Sequence, residues 1–193
     1  MDEKGFLLGV LGKTKRVYTK DGGFNKEKLK TGQDGSRDWI SLIATICQDG
    51  SSLPPWIIYP SDSGTVLDTW LEDFKPDQLL GWFSASESGW TNHQLAQEWL
   101  VKLFDRFTRK KARNQRDTRL LITDGHSSHL NIDFLDLCER LNIVVCILPP
   151  HSTHRLQPLD VGIFSPLATT YSHQLANWLS STCGLISLSK RHF

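Results

Sequence analysis

Two uninterrupted apolar runs, LLIT at residues 120–123 and IVVCIL at 143–148, flank a stretch with apolar side chains at Ile132, Phe134, Leu135, Cys138 and Leu141. The outer runs have the length and β-branched content of strands, and the middle one keeps the period of a helix. Strand, helix and strand in that order form a β-α-β unit, whose strands run parallel and are expected to be covered on both faces. Ligands of such sheets collect beyond the carboxyl ends of the strands. Asp124 follows the first run directly, in LLITDGHSSH, so an acid stands where a buried strand leaves the core.

The sequence before this unit supplies the rest of a sheet. DWISLIATICQDGSSLPPWIIYP, residues 38–60, holds two apolar runs around a Gly-Ser turn and predicts an antiparallel hairpin, with Pro54 and Pro55 where a missing N–H is tolerated. Residues 92–108 place Leu95, Trp99, Leu103, Phe104 and Phe107 on one helix face, with Asn92 as N-cap. Between hairpin and helix, residues 61–89 are rich in Ser, Asp and Gly and are expected to form a loosely structured insertion. A polar basic connector at 109–119 leads into the β-α-β unit. After PPHSTHRLQPLD a final helix is expected. The order argues an α/β domain with a mixed sheet and helices packed against it.

A chain of 193 residues with 39% hydrophobic content buries one ordinary core, so a single soluble domain over 1–193 is expected. Its 22 basic and 21 acidic side chains leave a net charge of +1, so any affinity for nucleic acid must come from a local patch. No stretch approaches the roughly 18 apolar residues that span a bilayer, and no membrane partner is expected. Cys47, Cys138, Cys146 and Cys183 lie far apart without a C-x-x-C pair, which fits free thiols rather than a disulfide framework or a cysteine zinc site.

Three acids lie at junctions between elements: Asp2 near the start, Asp124 at a strand end, and Asp160 in LQPLDVGIF where a helix begins. A few carboxylates converging from separate elements suit a hard divalent cation, and a pair of such cations promotes phosphodiester cleavage. Taken singly, each acid reads equally well as a turn or cap residue. His126 with His129, and His151 with His154, form two H-x-x-H pairs that offer zinc a rival site and a zinc-dependent hydrolase as the outside reading. His126 and His154 suit hydrogen bonds that orient the carboxylates. Arg109, Lys110, Lys111 and Arg113 concentrate charge for phosphate contact or a nuclear-import address, against the simpler reading of a solvated connector. Of the tryptophans, Trp39, Trp56 and Trp99 are expected in the core, while Trp82 and Trp90 in the insertion are candidates for stacking on bases.

The segment LLITDGHSSHLNIDFLDLCERLNIVVCILPPHSTHRLQPLDVGIFSPL resembles the catalytic core of the DDE superfamily endonucleases, in the pogo, Tigger and jerky-like branch of the mariner-type transposases. MDEKGFLLG resembles that family's first-acid segment, and SGWTNHQLAQEWL the lead into its first helix. The resemblance implies a ribonuclease H-like α/β fold, a mixed central sheet with helices on both faces, incomplete at the first strand and at the C-terminal end. It implies Asp2, Asp124 and Asp160 as catalytic and metal-binding residues, with Mg²⁺ or Mn²⁺ in a two-metal site. The partners it implies are transposon-end and target DNA in the nucleus, with homodimerisation open. The reading within the family that stays beside it is a transposase-derived domain that binds DNA or protein without cutting.

Overall fold

In the computed structural model, residues 1–8, 38–77, 79–112, 117–125, 131–181 and 189–193 are described. Strands β1 (Asp2–Leu7), β2 (Trp39–Ala44), β3 (Trp56–Pro60) and β4 (Trp82–Ser86) form one sheet in that order. The β1–β2 and β2–β3 pairs are antiparallel, and β4 lies parallel to β3. Strands β5 (Arg119–Thr123) and β6 (Ile143–Ile147) form a parallel pair, as their apolar runs predict. Met1 joins the two sheets, its amino nitrogen donating to the Ile122 carbonyl at 2.9 Å.

Strand alternation assigns the two faces. Met1, Ile43, Trp56, Ile58, Leu121 and Ile143 share one core with helix α1 (His93–Trp99), its π-helical continuation (Leu100–Asp105) and α3 (Ile132–Arg140). On the other face, Phe6 packs edge-on against Tyr171 of α5 (Phe164–Ser181) at 5.1 Å, while Leu8, Ile40 and Tyr59 form a second cluster. A mixed sheet with helices on both faces is thus the observed architecture, in agreement with the ribonuclease H-like expectation. The predicted N-cap forms, Asn92 accepting the Leu95 N–H at 2.9 Å, and Asn131 caps α3 in the same way, accepting the Phe134 N–H at 2.8 Å, each satisfying a free donor of a first helical turn.

Four expectations need correction. Residues 61–89 are not a structureless insertion, because β4 adds a strand to the sheet there. Trp82 stacks beside Trp56 at 6.0 Å, and the Trp56 indole donates to Ser84 at 2.5 Å, so Trp82 is half-buried core rather than a platform for bases. Trp39, expected inside, is exposed and packs beside Trp90. Among the described residues the β5–β6 pair is covered on one face only: Leu120 and Val144 are 58% and 54% exposed, and on α3 Ile132 turns outward while Phe134 and Cys138 face the core. The apolar spacing on α3 is wider than the stripe that the sheet accepts.

Gly89 closes the turn after β4 with φ +75°, where a Cβ would strike the Trp39 carbonyl. An L side chain is strained in that region and the obstacle is backbone, which cannot swing away. Gly89→Ala is expected to cost about 2 kcal/mol or more. Urea unfolding checks this, and a change below half of that would show that the turn relaxes.

Candidate active site

Three acid-bearing segments meet at one residue. Met1 immediately precedes Asp2. Its nitrogen bonds the Ile122 carbonyl of β5, two positions before Asp124, and its carbonyl accepts from Gln157 Nε2 at 2.9 Å, three positions before Asp160. Gln157 is 1% exposed, and Leu159 beside it is also buried, so the turn entering the π-helical segment Leu159–Ile163 is anchored in the core. Asp160 lies in the first turn of that segment, half-buried, and Asp124 is half-buried at the end of β5.

Asp2 is the most enclosed of the three at 6% exposure. Its Oδ1 accepts the Glu3 backbone N–H at 2.8 Å. Burial pushes the Asp2 carboxyl up to about 6, and the charges of Asp160 and Asp124 add to the rise, against the opposing Glu3 N–H and terminal ammonium. Asp160 and Asp124 therefore stand near enough for their charges to act on the Asp2 carboxyl, as acids around a shared cation do. The donors are hard oxygens and fit Mg²⁺ or Mn²⁺ by chemistry. Among the described residues, no three His, Cys, Asp or Glu side chains are already drawn to metal-holding distance.

The other predicted residues are more scattered. His126, His129 and Arg113 lie outside the described residues. His151 and His154 are exposed on and beside α4 (Thr153–Leu156), His151 with φ 61°. Arg109 is tied to Asp105 at 2.6 Å and Lys111 to Asp49 at 2.9 Å, which leaves Lys110 as the exposed cation of that run without an ion pair among the described residues. Trp90 is exposed and rests against Gly5 and Trp39. Gln157 was not a candidate from sequence. Its signal, a glutamine three positions before an acid in LQPLD, becomes meaningful only with the hydrogen bond to Met1.

Asp2 thus stands at the start of one strand, Asp124 after the end of another and Asp160 at a helical entry. The family model of the DDE superfamily endonuclease matches residues 36–190, and the chain belongs to that family. It is 37% identical over 174 residues to a Cochliobolus lunatus protein named MFS-type transporter clz9, covering 90% of this chain and 18% of that one. It is 28% identical over 154 residues to the human Pogo transposable element with KRAB domain, covering 80% and 22%. The chain therefore spans about a fifth of the curated relatives it matches. No described helix is long and apolar enough to cross a membrane. A solved Mos1 transposase paired-end complex with left transposon end aligns at 14% identity and a TM-score of 0.45, over 98% of this chain and 48% of that one.

Proposed function

We propose that this transposase-like domain is a metal-dependent DNA endonuclease and strand-transfer domain whose acids are Asp2, Asp124 and Asp160. The observation that carries the reading is the pair of hydrogen bonds through Met1, which ties the segments bearing Asp124 and Asp160 to the strand bearing Asp2. A chain that needed these acids only as caps or turn residues would not have to bring them within range of one another.

Asp2 and Asp124 would share the cations, and Asp160 would complete the second position. Bound Mg²⁺ or Mn²⁺ would activate the attacking oxygen and stabilise the leaving one. The chain's own part is to hold the buried Asp2 carboxyl near the charges of Asp160 and Asp124, at a cost offset by the packing of β1, β5 and the Gln157 turn. DNA is the substrate that the family points to, and the nucleus the compartment in which such a domain would work.

Calorimetric Mn²⁺ titration of the wild type, Asp124→Asn and Asp160→Asn tests the reading, with nicking of supercoiled plasmid as the second readout. Binding and nicking in the wild type, both lost in the two variants, are the expected result. No Mn²⁺ binding by a folded wild type would overturn it and leave a domain that binds without cutting.

Gln157→Leu provides a separate prediction. It removes the donor from a buried carbonyl, which costs about 1–3 kcal/mol of stability. Groups that fix metal ligands in place matter to affinity by about 10–100-fold when lost, and Mn²⁺ binding is expected to weaken to that degree in the folded variant. Unchanged affinity would show that the acids keep their spacing without the amide.

A further inference from the structure

A cleft of about 480 Å³ opens beside Asp160 on the α5 face of the sheet, bounded by Lys4 and Asp160 at one end and by Ser165, Thr169, Ser172 and His173 along α5. Lys4 stands two residues beyond Asp2 on β1, so both side chains project to the same side of the strand. Its ammonium lies 6.0 Å from the centroid of the Phe164 ring, and it is salt-bridged to no acid among the described residues. An aromatic ring that supports a lysine stem without consuming its N–H donors leaves the cation available for an anion. The α5 wall sets Ser165, Thr169, Ser172 and His173 beside the apolar Phe164 and Ala168. Thr169 and Ser172 donate their hydroxyls to helix carbonyls at 3.0 and 2.8 Å, which leaves Ser165 and His173 as further donors along the cleft. Ser165 and Ser172 are seven residues apart, about 10 Å along a helix.

We propose that this cleft is the track along which a DNA strand reaches the acids, with Lys4 as the phosphate-binding residue at its inner end. The proposal rests on the endonuclease reading for the identity of the anion, and it adds residues that the acid triad does not include. A single cation at the end of the cleft offers attraction to a ligand that brings negative charge. A phosphodiester has that chemistry.

The test is fluorescence anisotropy of a labelled single-stranded oligonucleotide with the full chain in EDTA, across a range of salt concentrations. Wild type, Lys4→Gln, Lys4→Arg and His173→Ala would be compared with Lys75→Gln, which alters an exposed cation that does not line the cleft. Lys4→Gln is expected to weaken binding about 3–10-fold and to reduce the slope of log affinity against log salt by about 0.7, the share of one single-strand phosphate. Lys4→Arg should retain both. Circular dichroism establishes that each variant is folded. Binding by Lys4→Gln equal to wild type, or no oligonucleotide binding by the wild type, would overturn the proposal. Because EDTA removes the metal, the two readings fail separately. Lys4-dependent binding without nicking would leave the cleft standing and the nuclease reading lost, and nicking unaffected by Lys4→Gln would do the reverse.

Discussion

Arg119→Met is expected to destabilise the fold by about 3–5 kcal/mol, the cost of leaving one partner of a buried ion pair uncompensated. The Arg119 guanidinium bonds the Asp105 carboxylate at 2.7 Å, with side chains only 10% and 9% exposed. It also donates to Thr108 Oγ1 at 3.1 Å and to the Leu141 carbonyl at 2.5 Å. One planar group therefore fastens the end of the long helix, the start of β5 and the exit of α3. Arg109, half-exposed, reaches the second Asp105 oxygen and would compensate only in part.

For a domain of this size that cost corresponds to a fall in Tm of about 6–20 °C. The double variant Arg119→Met with Asp105→Leu is expected to recover part of the loss, since apolar replacement of both partners removes the buried charge instead of stranding it. Thermal unfolding of both variants checks this. A loss below about 1 kcal/mol in the single variant would mean that water reaches Asp105 and the pair behaves as a surface bridge.

Arg119 also shows what local sequence hides. In RKKARNQRDTR it reads as one more cation of a solvated run, and nothing nearby distinguishes it from Arg109 or Lys110. Its partner lies on the preceding helix, among residues whose spacing describes an apolar stripe. β4 was hidden for a similar reason. WFSAS sits between Gly and Ser clusters, and its identity as a strand comes from the parallel register with β3, Trp56 against Trp82 through Pro60 against Ser86. Elements whose signal is periodic and local were legible: the β2–β3 hairpin, the Asn92 cap, and the parallel β5 and β6. The acids were legible as junction residues because their positions follow from strand and helix ends. Gln157 and Lys4 were not, because each acquires meaning across more than 150 positions of chain, one through a hydrogen bond to Met1 and the other through a cleft shared with α5.

Asp2 links that architecture to a measurable cost. Its carboxyl has an ordinary value of 3.8 and is pushed up to about 6 in the fold, chiefly by burial and then by Asp160 and Asp124. A raised folded-state pKa means that the fold favours the protonated acid, so the stability it contributes is fully present below 3.8 and is lost as pH rises through about 6. Asp2→Asn fixes the site in an uncharged state. Relative to wild type in EDTA it is expected to gain about 1–2 kcal/mol at pH 8, after allowance for solvent screening, and close to nothing near pH 4. Under the endonuclease reading the same change removes a metal ligand, and nicking should fall more than about 100-fold. Saturating Mn²⁺ at pH 8 should reverse the order of stability, since a cation at 100 times its Kd adds about 2.7 kcal/mol to the wild type and little to the variant. Urea unfolding at pH 4 and pH 8, with EDTA and with Mn²⁺, separates these contributions. An Asp2→Asn protein less stable than wild type at pH 8 in EDTA would mean that the ionised carboxylate is held by favourable contacts and that the three acids do not repel. An EDTA gain at pH 8 without any Mn²⁺ effect would keep the repulsion and remove the cation as its reason.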